Sequence, residues 1–223
     1  FDAPLKHFTS IRVGGPADVL FFPRDEEELR KIVRTASKKG IPYMILGKGT
    51  NLIVRDRGVR GWVINLTHGL KRFRIEEEIA EAEAGLPLQR LVQSSVLRGL
   101  TGMESFFGIP GTVGGGLAMN AGAWGTEMRD LVLSVTFVKE DGQVVERPKT
   151  KLRFSYRHLT FPPSQRGINL QEPSRRSCRQ MDRRGRAQGL SHRPRHGLGA
   201  SRQFHRQPGE GHSGRDPRAH GAR

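Results

Sequence analysis

Apolar and polar positions along residues 1–160 repeat with two periods, so both helices and strands are expected. Residues 25–39 place Leu29, Ile32, Val33 and Ala36 at helical spacing, with acids in the first turn, Lys38 and Lys39 in the last, and Gly40 as a stop. Residues 41–46 are a short apolar run that reads as a buried strand. Ile53-Val54 and the run Trp62 to Leu66 predict two further strands, separated by a turn around Gly58. Residues 73–84 predict a strand pair that leads into a second helix over 86–97. That helix carries Leu88, Leu91, Val92 and Val96 on one face, and Gly99 ends it. Residues 131–138 and 143–146 predict a hairpin around Glu140-Asp141-Gly142, whose Asp-Gly pair is a strong turn signal. Helix and strand do not alternate strictly, so the pattern predicts a mixed α+β domain.

Two glycine-rich segments stand out from this pattern. Gly47-Lys48-Gly49-Thr50-Asn51-Leu52 directly follows the strand at 41–46. The second runs from Gly108 through Pro110-Gly111-Thr112-Val113-Gly114-Gly115-Gly116 to Asn120-Ala121-Gly122-Ala123. Glycine permits positive φ and brings backbone N–H groups against a ligand. Successive N–H donors facing one concavity form a nest for phosphate or pyrophosphate. Two such loops around a strand-rich core predict a large phosphate-bearing cofactor between them; tight turns without a ligand are the competing reading. Neither loop fits the dinucleotide fingerprint with its acid about twenty residues on, and neither carries the Gly-Lys-Ser/Thr of a P-loop.

Charge divides the chain in two. The 223 residues carry a formal net charge of +16, which on its face suggests nucleic acid. Residues 1–165 hold 24 Lys+Arg against 18 Asp+Glu, whereas residues 166–223 hold 14 Arg, no Lys and 4 Asp+Glu. Only 11 apolar residues occur in that last stretch, too few to offset its chain entropy by burial. The boundaries predicted are a globular domain over 1–160 and a disordered Arg/Gly/His-rich tail over 161–223. Cys178 is the only cysteine, which excludes an intrachain disulfide framework. No signal peptide and no apolar run of eighteen residues is visible, so a cytoplasmic protein without a membrane partner is expected. The chain begins at Phe1 rather than methionine, so further N-terminal sequence is expected. His7, His68 and His158 lack metal-ligand spacing and read as surface or turn residues.

Four motifs in order resemble a known family. They are Phe8-Thr9-Ser10-Ile11-Arg12-Val13-Gly14-Gly15-Pro16-Ala17-Asp18, the first glycine loop continued through Ile53-Val54, the second loop through Ala123, and Phe154-Ser155-Tyr156-Arg157. Together they are similar to the UDP-N-acetylenolpyruvoylglucosamine reductases (UDP-N-acetylmuramate dehydrogenases) of bacterial peptidoglycan synthesis, over residues 4 to about 160. The resemblance implies an FAD-binding domain of the vanillyl-alcohol-oxidase (PCMH) type, in which two α+β subdomains clamp the cofactor. It also implies an oxidoreductase in which NADPH reduces FAD and hydride passes to the enol ether of a UDP-sugar enolpyruvyl substrate. Cofactor contacts would come from Gly47, Lys48, Gly49, Thr50, Asn51 and Leu52, and from Pro110, Gly111, Thr112, Gly114, Gly115, Asn120 and Gly122. For Lys48 a solvated loop charge is an equal alternative, and for Asn120 a turn role. Arg157 matches the family's catalytic arginine, beside the substrate carboxylate; a surface ion pair is the bland alternative. No metal, no specific nucleic acid and a monomeric state are expected. Competing functions are another FAD oxidoreductase of this fold, or nucleic-acid binding by the basic tail. Residues 166–223 have Phe204 as their single aromatic residue and no recognisable module for that second role.

The family also uses a proton-donating serine in a Ser-Ala-Gly-Ser-x-Phe motif and a glutamate near the C-terminus, and neither occurs in residues 158–223 as written. Arg-rich, lysine-free text is what a GC-rich gene yields out of frame. Shifting the codons by one base lets residues 202–212 read G-N-F-I-V-N-L-G-K-A-T, and residues 164–170 read P-S-A-G-S-T-F. Residues 171–186 likewise permit R-N-P-P-G-D-H-A-G-R-W-I-E-E-A-G. These strings resemble the family's third domain in order, so residues from about 164 are expected to be an out-of-frame remnant of it, with turnover lost in a chain carrying them. Arg157 and Ser164 also lie several tens of residues too close, so a deletion accompanies the shift. Sequencing the coding DNA tests this: codons compatible with all three strings are expected, and incompatible codons in an uninterrupted frame overturn it.

Overall fold

The computed structural model describes residues 1–160 and 167–169. A four-stranded sheet comes first, in the order β1-β2-β4-β3: β1 (Ala3–Pro4), β2 (Pro16–Phe21), β3 (Tyr43–Leu46) and β4 (Val59–Asn65). β1 is antiparallel to β2, while β4 runs parallel to both β2 and β3, with Leu20 opposite Val63 and Ile45 opposite Ile64. Between β2 and β3 lies α1 (Glu26–Lys38), which packs Leu29, Val33 and Ala36 fully out of solvent. Leu29 and Val33 join Ile64, Leu66 and Leu70 in one apolar cluster, whereas Leu5, Ala17, Leu46, Val54 and Val63 form another.

Local chemistry sets the limits of α1. The Asp25 carboxylate accepts the Glu28 N–H at 2.8 Å, satisfying one of the helix's orphan donors. At the other end Gly40 takes φ 63°, with its N–H donating to Ser37 O and the Ile41 N–H to Ala36 O. That pair of bonds is the Schellman arrangement, for which glycine is favoured. Gly99, at φ 74°, ends α2 (Leu88–Leu97) in the same way, its N–H donating to Val96 O and the Leu100 N–H to Ser95 O.

The second half of the domain begins with the hairpin β5 (Phe73–Glu76) and β6 (Ile79–Ala82), followed by α2. Next come α3 (Val113–Ala118), the hairpin β7 (Gly122–Ala123) and β8 (Thr126–Glu127), and α4 (Met128–Leu131). Chain order then gives β9 (Ser134–Lys139), β10 (Val144–Pro148), and the hairpin β11 (Arg153–Ser155) and β12 (His158–Thr160). β13 (Gly167–Asn169) pairs antiparallel with β9, beyond the boundary expected at residue 160. A core of Leu86, Leu88, Val92, Phe106 and Val113 joins β6, α2 and α3. Glu81 on β6 and Glu83 just after it are buried too. Arg74 covers Glu81, and Arg72 holds Glu83 at 2.8 Å, so the charges enter the interior paired.

Most expected elements are present, and the differences have local causes. Ile53-Val54 is not a strand. Arg55 O is taken by the Gly15 and Gly58 N–H groups, Val54 packs under Gly14, and Ile53 is 74% exposed. The strand expected at 41–46 starts at Tyr43 and lies at a sheet edge, with Tyr43, Met44 and Ile45 half-buried and Leu46 buried. The helix expected from residue 86 starts at Leu88, because Pro87 has extended backbone and Leu86 O accepts the Val113 N–H. The expectations for disorder and an altered reading frame beyond residue 160 otherwise fall outside the described residues.

Asp25→Ala is expected to cost about 1 kcal/mol of unfolding free energy through loss of the α1 cap, read by urea denaturation. A change below a few tenths of a kcal/mol would count against that capping role.

Candidate functional site

The first glycine loop leaves the carboxyl end of β3, beside the end of its parallel neighbour β4. Ligands of open parallel sheets commonly sit beyond the carboxyl ends of the strands. Asn65, the last residue of β4, donates from Nδ2 to Gly47 O at 3.4 Å and turns the chain by accepting the Thr67 N–H on Oδ1 at 2.9 Å. Gly49 sits at φ 62°, and a Cβ there would lie 2.2 Å from Phe8 O. Ser10 fastens the same residue, donating its N–H to Gly49 O at 3.1 Å and its hydroxyl at 3.3 Å. The N-terminal motif is thus the brace of the first loop. Its motif glycines pack on protein as well: a Cβ on Gly15 would meet Asp56 O at 1.9 Å.

The second loop is held from behind by the β6–α2 connection. Leu88 N–H donates to Gly111 O, Val113 N–H to Leu86 O and Gly114 N–H to Ala84 O, all between 2.9 and 3.2 Å. Thr112 caps α3, its hydroxyl accepting the Gly115 N–H at 3.2 Å. The two loops meet. Thr50 Oγ1 donates to Pro110 O at 3.4 Å, and a Cβ on Gly47 would stand 2.6 Å from Thr112 Oγ1.

This geometry divides the glycines by purpose. Gly47, Gly49 and Gly114 are glycine because other protein atoms occupy the space of a side chain. Gly122 belongs with them, since its Cβ would lie 2.4 Å from Thr126 O in the β7–β8 hairpin. Gly111, at φ 135°, has one neighbour within 4 Å, Thr50 Oγ1 at 3.3 Å, and so borders open space. The donors divide similarly. Gly114 and Gly115 spend their N–H groups inside the protein, so as pyrophosphate donors they are not what the geometry supports. Among the described residues, the N–H groups of residues 48–51 and 111–112 donate to no protein acceptor. Lys48 and Asn51 are exposed, and Leu52 is half-buried against the β-sheet cluster of Leu46 and Val63. Neither residues 40–55 nor 105–126 contain an acid, so both loops lack fixed negative charge.

Asn120 departs most from expectation. It is 1% exposed, at φ 40°, and its amide is fully engaged. Nδ2 donates to Glu127 Oε2 at 2.9 Å and to Ser155 O at 3.1 Å, while Oδ1 accepts the Arg129 N–H at 3.1 Å. Arg157 lies in the turn joining β11 to β12, also at positive φ, 54°, with its guanidinium 5.7 Å from the centre of the Tyr156 ring. Both side chains are exposed, and Arg157 makes no ion pair with an acid among the described residues. Among the described residues no group of three or more His, Cys, Asp or Glu could hold a metal ion, and no helix is long and apolar enough to cross a membrane.

Residues 17–147 match the family described as FAD binding domain. The chain belongs to that family. The expected α+β flavin-binding fold is therefore its fold. Among curated relatives, a UDP-N-acetylenolpyruvoylglucosamine reductase of Syntrophus aciditrophicus is 45% identical over 166 residues, which are 72% of this chain and 53% of the relative. One from Clostridioides difficile is 42% identical over 156 residues, 70% of this chain and 51% of the relative. The crystal structure of UDP-N-acetylenolpyruvylglucosamine reductase from Thermus caldophilus superposes with a TM-score of 0.64 at 36% identity, covering 74% of this chain and 57% of that one. The chain spans about half the length of the curated relatives it matches. For the FAD-binding domain the donors at residues 48–51 and 111–112 fit a diphosphate: unspent N–H groups, converging loops and no acid within either loop.

The missed contributors are Phe8, Ser10 and Asn65, which shape the first loop from outside it. Ser10 lies inside a quoted motif, but its bond to Gly49 O spans 39 residues and has no sequence signal. Gly49→Ala is expected to cost on the order of 2 kcal/mol, from left-handed strain and the clash with Phe8 O, and to abolish FAD binding. Gly115→Ala has only Thr112 Oγ1 to meet, at 3.3 Å, and should leave stability within about 1 kcal/mol. Chemical denaturation and FAD titration of the two variants check the contrast.

Proposed function

We propose that the chain is the flavin-binding part of a UDP-N-acetylenolpyruvoylglucosamine reductase, a cytoplasmic, monomeric enzyme of peptidoglycan precursor synthesis. The observation that carries this reading is the junction of the two glycine loops, Thr50 on Pro110 and Gly47 against Thr112. It occurs in a chain 41–45% identical to curated reductases of that name. Bound FAD supplies hydride transfer, from NADPH to the enol ether carbon of the UDP-sugar enolpyruvyl substrate.

This chain's own residues bind and orient. The N–H groups of Lys48, Gly49, Thr50 and Asn51 from one side, and of Gly111 and Thr112 from the other, hold the diphosphate. Because the loops are braced by Phe8, Ser10, Asn65 and the β6–α2 turn, those donors are oriented before the ligand arrives. Arg157 supplies the cation. Without a carboxylate partner among the described residues, its guanidinium is available for the substrate's carboxylate, and steadies the charge that develops there as hydride reaches the far (β) carbon of the enolpyruvyl double bond.

The purified full chain is expected to take up FAD and show visible flavin absorbance. Arg157→Ala should retain FAD affinity but weaken binding of the enolpyruvyl substrate, followed through its perturbation of the flavin spectrum, by about tenfold or more, the loss of one charge-assisted hydrogen-bonded pair. A chain that stays colourless at saturating FAD sinks the proposal.

A further inference from the structure

One buried side chain joins both ends of the site. Asn120 follows α3, whose first turn is formed by the second glycine loop. Its own N–H donates to Leu117 O at 3.0 Å, closing the helix. The side chain then reaches two hairpins. Nδ2 binds the Glu127 carboxylate at the end of β8 and, 35 residues further on, the Ser155 carbonyl at the end of β11. Ser155 directly precedes Tyr156 and Arg157. Among the described residues β11 and β12 form a two-stranded sheet of their own, with no neighbouring strand to set the direction of their turn. Leu152 and Leu159 bury the base of this hairpin beside Leu117, Val135 and Phe137, but Ser155, Tyr156 and Arg157 are all exposed. Phe154 and Leu159 pack the strands on that core, and among the described residues the one side-chain hydrogen bond from the body of the domain to the tip is that from Asn120 to Ser155 O.

We infer that Asn120 is a positioning residue for Arg157, setting where the Tyr156–Arg157 turn stands relative to the glycine loops. Its left-handed backbone, φ 40°, is one that asparagine tolerates. The amide is suited to the task for a chemical reason: it offers two donors to a carboxylate and a carbonyl on one end and an acceptor to the Arg129 N–H on the other. Aspartate keeps the acceptor but places negative charge where Glu127 Oε2 and Ser155 O stand, 2.9 and 3.1 Å away. Glycine keeps the backbone and removes the tie. The assignment of a catalytic duty to the positioned turn rests on the proposed reductase function; the mechanical tie does not.

Hydrogen exchange of the full chain, read by mass spectrometry without FAD, separates the two. In Asn120→Gly and Asn120→Asp, amides of residues 153–160 should exchange about tenfold faster, equivalent to about 1.4 kcal/mol. Residues 26–38 and 59–65 should be unchanged. Unaltered exchange at 153–160 in either variant overturns the inference, as does an equal rise in α1 and β4, which would mark general destabilisation. With saturating FAD, protection in the wild-type chain should extend from residues 111–118 to 153–160, and in Asn120→Gly it should stop at the glycine loops. Equal FAD protection of 153–160 in both proteins also overturns it. Failure of FAD to bind sinks the reductase reading and leaves the first comparison to decide the tie.

Discussion

The structure depends on one close approach. Two loops separated by 60 residues touch at Thr50 and Pro110, and at Gly47 the opposing Thr112 hydroxyl leaves room for nothing larger than hydrogen. That contact fixes the spacing between two sets of backbone donors. Each loop has its own backing: β3, β4 and the N-terminal motif behind the first, the β6–α2 connection behind the second. A diphosphate site needs donors that point before the anion arrives, since ordering loops around a ligand costs binding free energy. Here the ordering is done by protein–protein bonds.

Glycine therefore serves two ends in this domain. At Gly49, Gly114 and Gly122 it lets backbone pack against backbone, and at Gly111 it lets the chain turn at positive φ beside open space. The distinction changes which backbone donors remain free of protein acceptors. Gly114 and Gly115 lie in the densest part of the motif, yet their N–H groups hold the helix and the β6–α2 turn together. The donors left over are those of residues with ordinary side chains as well as glycines, Lys48, Thr50, Asn51 and Thr112 among them.

Beyond the loops, the site is a matter of levers. α3 is only six residues long and carries the second loop at one end and Asn120 at the other. From there the amide reaches both the β7–β8 and β11–β12 hairpins, so the second glycine loop, the β7–β8 hairpin with its exposed Trp124 and the Arg157 turn share one short connection. A placement error in α3 would move all three together.

Much of this was legible in the chain itself. The helix at 26–38, its Asp25 and Gly40 ends, the hairpin at Asp141-Gly142 and both glycine loops follow from spacing and turn chemistry, which act between residues a few positions apart. The four ordered motifs carried the family as well. Ile53-Val54 misled because two apolar residues do not distinguish a strand from a loop packed under a glycine. What sequence could not supply was the employment of each polar group: that Ser10 braces Gly49, that Asn65 bonds Gly47, and that Asn120 is buried between two hairpins. Those bonds join residues 18 to 39 positions apart, and only the folded chain decides which donors are consumed in holding it together and which remain to meet a ligand.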